Sequence, residues 1–375
     1  TYNNVASVGH CHPHVVAATA RQSAVFASHT RYLHDTVLDY AERLLATFPA
    51  DLSHVMFTCT GSEANDLSYR IARAHTGGTG IIVTENAYHG VTYAIAGMSP
   101  SLGEGVPLGE HVRTIPAPDP ARMAGDLGAA FAAAVQAAID DLLRHGIKPA
   151  ALIVDTIFSS DGVFEGPAGF LQPAVAAIRA AGGLFIADEV QPGFGRTGDA
   201  MWGFQRHGLI PDMVSLGKPM GNGYPVAGLV MRPDVIEAFG SKARYFNTFG
   251  GNAVAAATAM AVLDVVQGEG LQENARAVGA YFAEGLRALA KDHDALGPLR
   301  AAGLFLGQDI VQGGDPLAPD AARTSRIVNG LRQARVLISA TGPRQNVLKI
   351  RPPLVFSKAN VDYFLTAFET VLKQG

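Results

Sequence analysis

Gly183-Leu184-Phe185-Ile186-Ala187-Asp188-Glu189-Val190-Gln191 is the stretch on which the architecture turns. Leu184 to Ala187 is an unbroken apolar run with no polar face, which reads as a strand covered on both sides. Similar short runs recur at His54–Thr58, Gly80–Thr84, Ala151–Thr156, Met213–Leu216 and Val226–Met231, and the central one extends over Leu184–Val190. Between them lie longer, Ala-rich stretches that read as helices, among them Glu63–Ala74, Gly128–Arg144, Gly169–Ala181 and Ala253–Val266. This alternation predicts an α/β fold with a mostly parallel sheet flanked by helices. Ligands of open α/β sheets bind outside the carboxyl ends of the strands. Asp188 falls at such an end.

After Gly270 the texture changes. A charged helix over Leu271–Lys291 leads to an apolar run, Leu304–Val311, and then to helices over Asp320–Arg332 and Lys358–Leu372. The division predicted is a large domain over 40–270 and a smaller α+β domain over 271–375. An N-terminal segment, 1–39, is expected to pack with the small domain and the active site. No repeat or low-complexity linker interrupts the chain.

Composition narrows the function classes. Of 375 residues 48% are hydrophobic and the mean hydropathy is +0.16, which excludes a disordered chain. Lys+Arg 29 against Asp+Glu 33 gives a net charge of −4 without a basic block, so no nucleic-acid partner is expected. Apolar stretches such as Val254–Val266 contain Thr258 and Asp264 and are too short for a bilayer, so no membrane partner is expected either. Cys11 and Cys59 give no disulfide framework and fit a reducing cytoplasm. The chain opens at Thr1 without a methionine or a leader, in what reads as mid-domain sequence, so residues upstream are expected.

Three motifs carry chemistry. Lys218 follows the strand Met213–Leu216 in Ser215-Leu216-Gly217-Lys218-Pro219-Met220-Gly221-Asn222-Gly223, where the glycines let another group approach the backbone. It is either a solvated loop lysine or a Schiff-base lysine. Asp188, thirty residues earlier, is either a buried acid satisfied by backbone N–H groups or the partner of a cationic pyridinium nitrogen. Glu189 points to the other face and reads as structural. In Phe57-Thr58-Cys59-Thr60-Gly61-Ser62-Glu63-Ala64-Asn65 a strand runs into a helix with Ser62 placed to cap it. That is a capped helix start, or a seat for a phosphate. Tyr88, in Tyr88-His89-Gly90, is an exposed loop tyrosine or a lid stacked on a flat ring.

Gly193-Phe194-Gly195-Arg196-Thr197-Gly198 matches G-x-G-x-x-G, and Asp212 lies where a ribose acid would. The following Asp199-Ala200-Met201-Trp202-Gly203-Phe204 is no amphipathic helix, however. A nicotinamide dehydrogenase is therefore the weakest of the readings.

Together the pieces resemble the class III aminotransferases, pyridoxal phosphate enzymes of fold type I. The resemblance rests on an ordered set spanning essentially the whole chain. Ile186–Gln191 runs on to the Gly193–Gly198 motif, and Gly217-Lys218-Pro219 and Asn247-Thr248-Phe249-Gly250-Gly251-Asn252 follow. It implies pyridoxal 5'-phosphate as cofactor, with Lys218 as the Schiff-base lysine and Asp188 at the pyridine nitrogen. Val190 would lie under the ring, Gln191 at the ring hydroxyl, Gly61 and Ser62 at the phosphate, and Tyr88 stacked above. Thr248 would reach the phosphate in the neighbouring subunit, so the resemblance implies a homodimer with a shared active site.

The departures are informative. Ornithine and 4-aminobutyrate aminotransferases carry Glu-Pro-x-x-Gly-Glu where this chain reads Asp155-Thr156-Ile157-Phe158-Ser159-Ser160. Their carboxylate-binding arginine is replaced by Lys349 in Leu348-Lys349-Ile350-Arg351-Pro352-Pro353. An ammonium is a point-charge phosphate binder, whereas a guanidinium suits a planar carboxylate. Tyr2–Pro13, Thr30-Arg31-Tyr32-Leu33-His34-Asp35 and Asn346–Lys349 are similar to the ethanolamine-phosphate phospho-lyase branch. That branch eliminates phosphate from O-phosphoethanolamine, giving acetaldehyde and ammonia. The implied substrate is a small phosphorylated amine, held by Arg31, His34, Lys349 and Arg351. These cations are otherwise surface residues or internal ion-pair partners. The alternative activity is that of an ω-amine or ω-amino-acid:2-oxoacid aminotransferase.

Overall fold

The computed structural model describes residues 4–374. Thr1, Tyr2, Asn3 and Gly375 lie outside them, so the Tyr2–Pro13 stretch is seen from Asn4 onward. Helices α1 (Pro13–Val25) and α2 (Asp35–Leu45) come first. Then follow β1 (His54–Thr58), α3 (Gly61–Thr76), β2 (Gly80–Thr84), α4 (Tyr93–Ala96), β3 (Val112–Ile115), α5 (Leu127–Arg144) and β4 (Pro149–Asp155). Next are α6 (Gln172–Ala180), β5 (Leu184–Asp188), β6 (Met213–Leu216), β7 (Ala227–Met231), α7 (Pro233–Gly240) and α8 (Ala253–Gly268).

These strands form one sheet in the order β1-β7-β6-β5-β4-β2-β3. Strands β2 to β6 pair in parallel, and β7 is antiparallel to both its neighbours. The expected α/β fold is present. Register then does the positioning, because Asp155, Asp188 and Ser215 stand level at the ends of β4, β5 and β6. Lys218 follows three residues on, at the same end.

The remainder comprises α9 (Leu271–Ala290), β8 (Leu296–Ala302), β9 (Phe305–Gln312), β10 (Asp315–Pro319), α10 (Ala321–Gln333), β11 (Ser339–Thr341), β12 (Val347–Ile350) and α11 (Lys358–Lys373). Its strands form an antiparallel sheet around β9. Its core includes Phe282, Phe364 and Phe368, and Val8, Val15 and Ala18 of the N-terminal segment join it. The large sheet has its own apolar cores on its two faces. Trp202, fully buried, stacks on Phe48 with ring centroids 4.3 Å apart.

Where boundaries shift, the causes are local. Strand β5 ends at Asp188 rather than Val190, since the chain turns there and Gly193 N donates to Glu189 O. Helix α6 starts at Gln172 rather than Gly169, whose φ is +85°. The G-x-G-x-x-G glycines serve packing. A Cβ on Gly198 would stand 2.8 Å from Arg276 Cα, and one on Gly193 2.7 Å from Glu189 O. Only a 3-10 turn, Gly203–His207, follows them, not the helix a dinucleotide would need. Among the described residues no single helix is long and apolar enough to cross a membrane.

Candidate active site

A cavity of about 280 Å³ opens at the carboxyl end of the parallel strands. Gly61, Ser62, Tyr88, Asp188, Val190, Gln191 and Lys218 all line it. The structure thus brings together seven of the residues singled out from the sequence.

One wall is the start of α3. The cap is Thr60, not Ser62 as expected. Thr60 Oγ1 accepts from Glu63 N at 3.2 Å, while Glu63 Oε2 accepts from Thr60 N at 2.9 Å and Cys59 N at 2.8 Å. This reciprocal box satisfies the third position of the helix and leaves the N–H groups of Gly61 and Ser62, at the first two, open for an anion. The Ser62 hydroxyl instead accepts from Val91 N at 3.1 Å. Gly90, with φ +138°, permits that approach, since a Cβ there would lie 2.5 Å from Ser62 Oγ.

Asp188 is nearly fully buried. Its Oδ2 accepts from His89 Nδ1 at 2.8 Å and Asn65 Nδ2 at 3.0 Å, and its Oδ1 from Val190 N at 3.2 Å. Lys218 opens a 3-10 turn with φ +32°, a conformation most side chains avoid. Its Nζ lies 5.8 Å from the Tyr88 ring centroid. Burial pulls its amine below the usual lysine range, partly offset by Asp188. Glu189 is structural, accepting from Thr156 Oγ1, Gly203 N and Phe204 N at 2.7–2.8 Å. Burial pushes its carboxyl up to about 7.

Behind this wall lies a cluster of buried charge. Arg351 donates from Nη1 to Gln191 Oε1 at 2.8 Å, and burial lowers it to about 10. Lys349, on β12, is buried as well. Burial first, and then Arg351, hold its amine well below the usual lysine range. Asp155, in the cavity wall, accepts from Ile157 N at 3.1 Å and Ser159 N at 3.0 Å. Burial raises its carboxyl, Asp188 adds to the rise, and Lys349 opposes it.

Three expected site residues lie elsewhere. Arg31 is exposed, its guanidinium 5.2 Å from the Phe246 ring. His34 caps α2, its Nδ1 accepting from Thr36 N at 3.3 Å, and stacks on Phe26. Neither lines this chain's cavity, because His34 is committed to a helix cap and Arg31 to an aromatic face. Thr248 is exposed, and its carbonyl accepts from Thr30 N at 3.2 Å. Conversely, Asn65, His89 and Asp155 line the cavity without having been singled out as site residues. Asp155 carried the same signal as Asp188, an acid ending an apolar run. Asn65 stands one helical turn after Gly61, on the face that looks at the sheet ends.

The comparisons with known proteins agree with this geometry. The aminotransferase class-III pattern matches residues 3–372. An "alanine–glyoxylate aminotransferase 2-like" protein of Drosophila melanogaster is 40% identical over 99% of this chain and 78% of its own length. An "ethanolamine-phosphate phospho-lyase homolog" of Caenorhabditis elegans is 36% identical over 99% and 83%. The solved structure of an Arthrobacter phospholyase in complex with phosphoethanolamine superposes with a TM-score of 0.95 at 41% identity, covering 100% of this chain and 90% of that one. A PLP-bound amine transaminase from an uncultivated Pseudomonas species gives 0.89 at 28% identity, covering 99% and 89%.

The residues fit pyridoxal phosphate. Open N–H groups at a helix start suit its phosphate, a buried acid suits its ring nitrogen, a lowered amine suits its aldehyde, and Tyr88 and Val190 could bracket its ring. The chain belongs to the class III aminotransferase family, and its cofactor is pyridoxal phosphate.

Proposed function

We propose that the enzyme is a phospho-lyase that eliminates phosphate from O-phosphoethanolamine, after which one water hydrolyses the remaining enamine to acetaldehyde and ammonia. The observation that carries this reading is the buried pair Lys349 and Arg351, the latter bonded to the cavity residue Gln191, in a chain that has Ser160 at the position matching an acid of the ornithine and 4-aminobutyrate aminotransferases. The Arthrobacter phospholyase bound to phosphoethanolamine supports it. The relatives named as aminotransferases support the second reading, amino transfer to a 2-oxoacid.

Pyridoxal phosphate supplies an electron sink for the carbon that bears the substrate's amine. The chain does the rest. Gly61 and Ser62 would hold the cofactor's phosphate, Asp188 would pair with its ring nitrogen, and Gln191, itself held by Arg351, would meet its hydroxyl. Lys218 is the general base for the proton on the substrate carbon. Its burial leaves a neutral amine available closer to neutral pH than an ordinary lysine would be. As the C–O bond breaks, negative charge gathers on the departing phosphate, and Lys349 and Arg351 stabilise it there. A substrate phosphate carries roughly −1.5 to −2 charges, and that charge favours the protonated form of the buried Lys349 amine, so that Lys349 and Arg351 together hold it better than they would one carboxylate.

Lys349→Ala is therefore expected to raise KM and lower kcat for O-phosphoethanolamine while changing reactions of uncharged amines little. Steady-state kinetics on both substrate types check it, and equal losses on both would contradict phosphate recognition. Whether phosphate release requires a 2-oxoacid is the test of the activity itself.

We propose also that the enzyme is a homodimer. Thr248 lies on an exposed loop with Phe246 and Phe249, 50% and 62% exposed, near Tyr32 and Leu33, 74% and 88% exposed. A cluster of exposed large apolar side chains suits an interface with another protein surface. Thr248→Ala is expected to weaken cofactor binding by about 1–3 kcal/mol through an unpaired acceptor in the partner's site. Cofactor titration measures this, and a fully active monomer in sedimentation would contradict it. The free thiols of Cys11 and Cys59 support a reducing compartment, and we place the enzyme in the cytoplasm. Cell fractionation tests that placement.

A further inference from the structure

We propose that His89 is a positioning residue that holds Asp188 aimed into the cavity, donating to it from Nδ1. The inference rests on the proposed role of Asp188. It does not depend on whether the enzyme eliminates phosphate or transfers an amine.

The geometry is a closed triangle. His89 Nδ1 stands 2.8 Å from Asp188 Oδ2, with 1% of the histidine side chain and 6% of the aspartate exposed. Asn65 Nδ2 donates both to that same Oδ2, at 3.0 Å, and to the His89 carbonyl, at 2.8 Å. The His89 N–H is anchored on Ser99 Oγ at 3.0 Å. The imidazole is thus fixed by its own backbone on both sides. A carboxylate offers only acceptors, so Nδ1 must carry the hydrogen of this contact. Nε2 is buried and has no partner among the described residues. A proton there would add a buried, unsatisfied donor and a second charge, which costs more than a bare lone pair.

The neighbouring strand shows why such a device is needed. Asp155 stands level with Asp188 on β4 and also lines the cavity. Two buried acids side by side do not both ionise cheaply, and their surroundings decide which one holds the charge. Asp155 accepts from the backbone N–H groups of Ile157 and Ser159, and the Ser159 side chain also favours its charged form, against burial. Asp188 receives two side-chain donors besides Val190 N. His89 Nδ1 and Asn65 Nδ2 together fix the direction in which the Asp188 carboxyl points.

The test uses the holoenzyme and three variants. His89→Asn can present an amide N–H near the place of Nδ1, whereas His89→Gln displaces it and His89→Leu removes it. The Gln and Leu variants are expected to lose the cofactor about 10- to 100-fold more readily in equilibrium dialysis. The rate of the cofactor's absorbance change on adding a simple amine should fall similarly, with little change in KM, and His89→Asn should recover most of both. In the wild-type holoenzyme, ¹⁵N NMR should report the Nδ1–H tautomer. Cofactor retention in His89→Gln equal to that of wild type, or an Nε2–H tautomer, would overturn the proposal. If His89→Leu fails to fold, the Gln variant and the tautomer still decide it. None of these readouts uses phosphate release, so failure of the phospho-lyase reading would leave them intact.

Discussion

Lys218→Ala leaves a folded protein whose turnover falls by about 10⁴-fold or more. The expected loss follows from removing the proposed Schiff-base amine and general base in one substitution. The fold survives because the backbone at this position already carries its cost. Lys218 has φ +32°, and alanine bears the same Cβ in the same conformation. The substitution also removes an amine whose burial is unfavourable rather than a packing group. Thermal unfolding should therefore change little while activity disappears. Retained turnover would exclude Lys218 as the base, and borohydride trapping of the cofactor on any other residue would place the Schiff base elsewhere.

Asp188→Asn is expected to cost about 10²-fold or more in rate, the scale of removing a positioned charge. Shape is conserved but two things fail. The charge proposed to face the ring nitrogen is gone, and with the amide oxygen in the place of Oδ2, accepting from His89 Nδ1 and Asn65 Nδ2, the new N–H₂ takes the place of Oδ1, where Val190 N requires an acceptor. Stopped-flow absorbance at the cofactor band measures the effect directly. An unchanged rate would reduce Asp188 to a core acid held by its neighbours.

Much of this arrangement was legible in the amino-acid order. Leu184–Asp188 reads as a buried strand because nothing polar interrupts it, and the structure places it at the middle of the sheet. The edge strand Val112–Ile115 was missed, since Val112-Arg113-Thr114-Ile115 is short, mixed in polarity and partly exposed. Helix α3 was legible from its strand-to-helix transition, but its cap was misassigned. Ser62 and Thr60 are both good cap residues, and only the pairing of Thr60 with Glu63 three residues later separates them.

Contacts between distant segments were the least legible. His89 and Asn65 meet Asp188 across 99 and 123 residues, and no local spacing encodes that. Arg31 and His34 read as substrate cations from their motif alone. Their partners, Phe246 and Thr36 N, show the local roles that a single chain gives them. Lys349 and Arg351 alternate along one strand-like run, and tertiary packing buries them both beside the cavity.

The central claim is that a phosphate leaves from the substrate and that no amine acceptor is consumed. Purified holoenzyme given O-phosphoethanolamine, with and without pyruvate, is assayed for inorganic phosphate, ammonia and alanine. The account predicts phosphate and ammonia in equal amounts, at the same rate whether or not pyruvate is present, and no alanine. Turnover that requires pyruvate and yields alanine with no phosphate released would contradict it and make the enzyme an aminotransferase.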